Sequence, residues 1–360
     1  MAGALLAGLR VLDLGIWRPV PYATQLLAEM GAEVLKIEPP GGDPMRVFPQ
    51  LFAVLNAGKR SMVADLKTDA GRAGVLELAA GADAVLEGFR PGVADRLGVG
   101  YEAVRAVCPA IVYCSISGYG EDGPLAKVPG HDINYQAYAG TLAPRGGRPV
   151  PATVPIGDLG AGMTAAMATV AACFRARYNG EGERIDVAIA DVLATWTGAV
   201  GDLTPDGADQ AMNGLPAYGI YATADGQQVS LGVLAEPHFW AAMCAALELG
   251  DLVGIPLTER VARKAELDDV VRAAVSKHSL AEVLERMDRH DVPVAPVLDR
   301  SGMLEHPHFR WRGTVRSDPR PGHETEAQMG HPARYRLHPA LALGPAPALD
   351  EERRVSWTAR

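Results

Sequence analysis

Cysteine is scarce in this chain of 360 residues: there are four, Cys108, Cys114, Cys173 and Cys244, with no spacing that suits a metal ion. A chain this long buries enough apolar surface to fold without cross-links, so reduced, buried thiols are expected. Aromatic residues are also few, at 6%. No uninterrupted apolar run reaches the ~18 residues of a membrane span, so no membrane association is expected. Positive charge is not in excess. The formal net charge is -9, which argues against nucleic acid as a partner. The apolar start, Met1 to Leu9, lacks a basic leader and is too short for a secretory signal, so no targeting segment is read and a cytoplasmic location is expected. The dinucleotide fingerprint is missing too. After the first strand pattern comes Gly15-Ile16-Trp17-Arg18-Pro19, not G-x-G-x-x-G, which makes NAD an unsuitable ligand.

What is present is a large apolar fraction, 48%, arranged as short strand patterns alternating with helical ones. Arg10 to Gly15, Glu33 to Glu38, Ser61 to Leu66, Asp83 to Phe89 and Ile111 to Ser117 read as strands. Helices are expected from Tyr22 to Met30, from a cap at Thr68 or Asp69 to about Ala80, from Leu159 to about Tyr178 and from about Asp186 to Val200. Such alternation predicts an α/β domain with a parallel sheet wound in right-handed crossovers. Turn residues at Leu203-Thr204-Pro205-Asp206-Gly207 suggest a linker. A hairpin over Tyr218 to Val233 and helices near His238 to Leu247, Leu267 to Ser276 and Ser279 to Arg289 predict a smaller α+β domain. The expected division is 1–185 for the large domain, 186–210 for a linker and 211–315 for the small domain, with about 316–360 returning to the large one.

Basic residues recur at or near strand ends: Lys36, Arg46, Lys59, Arg60 and Arg90. They are either solvated surface charges or a cluster that meets a polyanion beyond the carboxyl ends of the strands. Asn56-Ala57-Gly58-Lys59-Arg60 is the more suggestive of these, since glycine admits close backbone approach and two cations follow it.

Two further segments set ionisable side chains among glycine and apolar residues: Gly130-His131-Asp132-Ile133-Asn134-Tyr135 and Ile156-Gly157-Asp158-Leu159-Gly160. A His and an Asp facing one pocket form a two-base pair, able to remove a proton from one side of a carbon and return it from the other. Each also has a plain structural reading. Asp158 is placed to cap a long helix, His131 follows a Pro-Gly turn and can bond a loop, and Asp132 can close an Asx turn. Glu236-Pro237 can be a simple helix start.

Longer matches bear on the choice. Leu6 to Leu14, Gly31 to Glu38, Gly42-Asp43-Pro44-Met45-Arg46, Asn56 to Ser61, Phe89-Arg90-Pro91-Gly92, Arg96-Leu97-Gly98, Ser117-Gly118-Tyr119-Gly120, Tyr218-Gly219-Ile220-Tyr221, Glu236-Pro237 and Val292 to Val297 together resemble the family III CoA-transferases, and within them the α-methylacyl-CoA racemase branch. The resemblance implies a Rossmann-like large domain completed by both chain ends, a small α+β domain and an interlocked homodimer. It implies an acyl-CoA substrate, with CoA near Lys36, Arg46, Lys59, Arg60 and Arg90, and no cofactor or metal beyond the substrate's own CoA. Both branches use an aspartate at Asp158, as nucleophile in a transferase and as one of two bases in a racemase. The His131 segment and Glu236 resemble the racemase pattern. They imply that Glu236 of the partner chain steadies His131, that backbone N–H at Asp132 meets the enolate oxygen, and that Tyr135 and Tyr218 line the acyl side. The chain departs from the pattern by one extra residue in Gly232-Val233-Leu234-Ala235-Glu236-Pro237 and by a shorter loop between Ala143 and Pro149.

Overall fold

The computed structural model describes residues 3–142, 149–199, 215–317, 327–349 and 356–358. The chain divides into two compact units, Met1–Thr197 with Trp311–Arg360, and Gly198–Arg310.

The first unit is built on six parallel strands: β1 (Arg10–Leu14), β2 (Glu33–Glu38), β3 (Arg60–Val63), β4 (Ala84–Glu87), β5 (Val112–Ser117) and β6 (Glu183–Ala188). Their order is β3-β2-β1-β4-β5-β6, the Rossmann-like arrangement, in which the winding reverses between β1 and β4. The central strands are apolar along their length because helices cover both faces of the sheet; Val11, Leu12, Val85, Leu86, Val112 and Cys114 are all buried. Those helices include α1 (Pro19–Glu29), α2 (Pro49–Asn56), α3 (Asp69–Ala79), α4 (Val93–Arg96), α5 (Tyr101–Val107), α6 (Asp132–Tyr138), α7 (Ile156–Asn179) and α8 (Ile189–Ala199). Thr68 caps α3, its hydroxyl accepting from Gly71 N–H at 3.1 Å.

Helix α7 has the length and apolarity of a membrane-crossing helix. Its buried face is made of small residues, among them Gly157, Gly160, Ala161 and Ala165, and it packs on α1 and the sheet. A Cβ at Gly162 would stand 2.9 Å from the Pro19 carbonyl, so glycine there sets how closely the two helices cross. The sequence expects a helix from about Asp186. The helix instead begins at Ile189, and Glu183–Ala188 is the sixth strand, pairing in parallel with β5. Part of the stretch expected as linker is therefore regular structure of the large unit. The turn-rich segment Leu203 to Gly207 and residues 143–148 of the shortened loop lie outside the described residues.

The chain beyond Trp311 also belongs to this unit. Leu341 N–H donates to the Glu29 carbonyl at 2.7 Å and Gly58 N–H to that of Pro345 at 3.1 Å. Trp357 Nε1 donates to the Leu78 carbonyl at 2.8 Å, while Arg10 lies over its ring.

The second unit has a three-stranded antiparallel sheet of β7 (Tyr218–Ala222), β8 (Gln228–Gly232) and β9 (Val294–Pro296). Against it pack α9 (Pro237–Ala246), α10 (Leu257–Ala262), α11 (Lys264–Val275) and α12 (Leu280–Arg289). Trp240, Met243, Leu267, Val271, Val283 and Met287 form their common core. Ser279 and Glu282 close a capping box at the start of α12.

Candidate active site

The site begins at the first turn of α7. Asp158 is the third residue of this helix and not its cap, because the helix starts at Ile156 after Pro155. The capping acceptor comes from elsewhere in the chain. Asp132 Oδ1 accepts from Gly157 N–H at 2.8 Å and from Asp158 N–H at 3.0 Å. Two of the amide donors left over at the helix start are thus met by a carboxylate from the first turn of α6. Gly157 makes this possible, since a Cβ there would stand 2.8 Å from that same oxygen. The other Asp132 oxygen accepts from Gln136. Asp132 therefore forms a long-range cap in place of the expected Asx turn.

This contact ties the two sequence segments together. His131 is the N-cap residue just before α6, with an exposed side chain and a backbone N–H held by Asn134 Oδ1 at 3.0 Å. The Asp158 carboxyl is pushed up to about 6, first by burial and then by the neighbouring Asp132 charge. Arg18, 3.9 Å away at the start of α1, opposes that rise. Sequence reasoning did not single out Arg18 or Gln136. Tyr135 is buried beside this group, its hydroxyl donating to the Gly130 carbonyl at 2.6 Å. A Cβ at Gly118 or at Gly130 would strike its ring, at 2.4 Å and 2.7 Å. Burial and the nearby Asp158 raise Tyr135 to about 12, so it stays a neutral hydrogen-bonding phenol.

The five basic residues fall into different roles. Lys36 and Lys59 are buried. Lys59 Nζ meets Asp13 Oδ2, Asn56 Oδ1 and the Pro21 carbonyl, each at 2.9 Å. Lys36 Nζ donates to the Gly15 carbonyl at 2.6 Å and pairs with Asp43. Burial lowers Lys59 to about 8, with Asp13 working against it. Burial alone would raise Asp13, but the two lysines and Thr24 hold its carboxyl below the usual range. Lys36 and Lys59, expected near CoA, have their ammonium groups paired with the interior carboxylates of Asp43 and Asp13. Arg46 forks onto Glu38 at 2.7 and 2.6 Å and lies 4.0 Å over the Phe52 ring. It borders a groove of about 230 Å³ with Pro49, Ala53, Pro345 and Pro347. Arg60 pairs with Glu33 at 2.7 Å, and Arg90 is exposed.

Glu236 and Tyr218 belong to the second unit. Tyr218 borders an open groove of about 540 Å³ on the face of β7, β8 and β9. Glu236 stands just before α9, with Pro237 as the first helical residue, so a helix start is present. Its carboxylate does not cap that helix, and Oε2 is buried without a hydrogen-bond partner. Among the described residues no group of three or more His, Cys, Asp or Glu could hold a metal ion.

The CoA-transferase family III model matches residues 6–353. The chain belongs to this family. It is 32% identical to succinate–glutarate CoA-transferase from Agrobacterium fabrum, over 86% of this chain and 84% of that one. It is equally 32% identical to the α-methylacyl-CoA racemase of Mus musculus, over 87% of this chain and 83% of that one. The fold is similar to a solved structure, the hypothetical protein Rv3272 from Mycobacterium tuberculosis, with TM-score 0.87 and 27% identity over 98% of this chain and all of that one, 100%. The family is therefore settled, and it contains both transferase and racemase chemistry.

Proposed function

We propose that this family III protein is an acyl-CoA racemase that interconverts (R)- and (S)-2-methylacyl-CoA thioesters. The observation that carries this reading is the Asp132 bridge, which fixes the His131 segment to the first turn bearing Asp158. A thioester acidifies its α-hydrogen because the electron pair left behind moves onto the carbonyl oxygen as an enolate. One base takes that proton, and its partner delivers another to the opposite face. One of the two must start protonated and the other free. A carboxyl raised to about 6 can both give and take a proton near neutral pH, which suits this task. Backbone N–H at Asp132 would meet the enolate oxygen.

Glu236 would accept a hydrogen bond from the imidazole of His131 in a partner chain, and its unpaired buried oxygen is consistent with an acceptor awaiting a donor. The dimer this needs has support in α7, where Met163, Met167, Phe174 and Tyr178 form one exposed apolar stripe that a second copy of the chain would cover. CoA would lie along the rim of Arg46, Arg60 and Arg90, with the Arg46–Phe52 groove open to its flat ring. The substrate's own CoA is the only group the chemistry requires.

The transferase alternative makes Asp158 the nucleophile of a mixed anhydride, and transferase names among the relatives favour it. One assay separates the two. Incubating a single-epimer 2-methylacyl-CoA in D2O should give α-deuterium and loss of optical purity. CoA passing to an added free acid, without deuterium uptake, would overturn the racemase reading.

A further inference from the structure

We infer that Arg260 is a positioning residue, which sets the carboxylate of Glu236 by gripping the turn that carries it. The inference rests on the role proposed for Glu236 and adds how that side chain is held.

Arg260 lies in α10 with only 2% of its surface exposed. Its two terminal nitrogens donate to successive carbonyls, Nη1 to Leu234 at 3.3 Å and Nη2 to Ala235 at 3.2 Å. These are the two residues before Glu236. The guanidinium also lies 5.0 Å from the ring centre of Trp240, on the first turn of α9. The turn is pinned on its other sides. Val233 N–H donates to the Ala217 carbonyl at 3.2 Å, and Trp240 N–H to that of Glu236 at 3.3 Å. The Glu236 backbone is thus held before and after.

A buried guanidinium is a costly way to satisfy two carbonyls, since an apolar core position would leave no charge to desolvate. Its planar fork has the geometry that spans adjacent carbonyls, which an ammonium lacks. Arg260 Nε and Glu236 Oε2 are both buried and both without a hydrogen-bond partner. Burial lowers the guanidinium, and Cys244 and then Glu236 oppose that lowering. Arg260 therefore spends its terminal nitrogens on the backbone of the turn and leaves Glu236 Oε2 without a partner.

The test compares Arg260→Lys, Glu236→Gln and the double variant in the full-length protein, using α-proton exchange of a 2-methylacyl-CoA in D2O. Arg260→Lys should lower kcat by about 10- to 100-fold, as misplacement of a catalytic group does, with KM for the thioester changed less than about twofold. It should move the alkaline limb of the pH profile to lower pH, as Glu236→Gln does, because a carboxylate set against an imidazole favours the protonated ring. The double variant should be no slower than Glu236→Gln alone. Should Arg260→Lys not fold, Ala235→Gly loosens the same turn with Arg260 in place and carries the same expectation. A lowered Tm with kcat and the pH limb unmoved would overturn the inference, as would losses that multiply in the double variant. An inert Glu236→Gln would overturn the proposed role of Glu236 itself; an impaired Glu236→Gln beside an unimpaired Arg260→Lys would overturn the clamp alone.

Discussion

Asp132 Oδ1 accepts hydrogen bonds from the N–H groups of Gly157 and Asp158, 2.8 and 3.0 Å away, so one carboxylate caps the helix that presents another. The pair gives a split expectation. Asp132→Asn keeps an oxygen acceptor but removes a charge that raises Asp158, so the acid limb of the exchange reaction should move to lower pH with stability nearly unchanged. Asp132→Ala removes the cap as well and should lower stability by about 1–2 kcal/mol. Urea unfolding of the two variants, run beside their pH–rate profiles, checks both halves. Equal stability losses would contradict the capping role.

Asp158→Asn should lose α-proton exchange by roughly 100-fold or more and yet unfold later than the parent at pH 8. The carboxyl sits at about 6 in the folded chain, above its unfolded value. The folded state therefore holds the proton more tightly, and stability falls as pH rises from about 4 to about 6. Removing the charge should return on the order of 1–3 kcal/mol above that window and little at pH 4. Thermal melts at the two pH values measure the difference.

Glu87, at the carboxyl end of β4, offers the same sign in a residue with no catalytic role. Burial pushes it up to about 7, against hydrogen bonds from Ser115 and from Phe89 N–H at 2.7 Å. Its contribution should decline between about pH 4.5 and 7. Glu87→Gln should then melt above the parent at pH 8 and level with it near pH 4.5, with exchange activity intact.

Lys59→Met should destabilise the protein by about 3–5 kcal/mol, because it leaves Asp13 buried without its hydrogen-bonded cation and only Lys36 nearby. Asp13→Asn added to it should recover part of that loss. Arg90→Ala, at an exposed position, should leave the melting temperature alone and raise KM for acyl-CoA by about 10-fold, the value of one charge-assisted phosphate contact. Steady-state kinetics with differential scanning calorimetry on each variant distinguishes an interior ion pair from a ligand contact.

Five of the six strands of the sheet were legible because the central ones are apolar throughout and bounded by turn residues. The sixth was not. Glu183 to Ala188 is an edge strand with exposed polar residues at its start, and its run into the apolar α8 blends with a helical period. Asp158 and His131 could be named from their glycine-rich settings, but the cap on α7 could not. Its acceptor lies some 25 residues upstream, and spacing along the chain carries no trace of it. The residues alone left Lys36 and Lys59 open between solvated surface charges and a cluster that meets a polyanion. Their burial follows from Asp13 and Asp43, whose pairing only the folded sheet defines. Arg260 gave no signal either, since an arginine in a short helix ordinarily faces water.

The indole of Trp357 donating to Leu78, more than 270 residues upstream, bears on how the polypeptide is made. The segment forming the second unit leaves the ribosome before this tryptophan is added, so it can complete its own core while the earlier domain still lacks its closing stitch. Synthesis thus offers a period in which one core is finished while the other still lacks its last contacts.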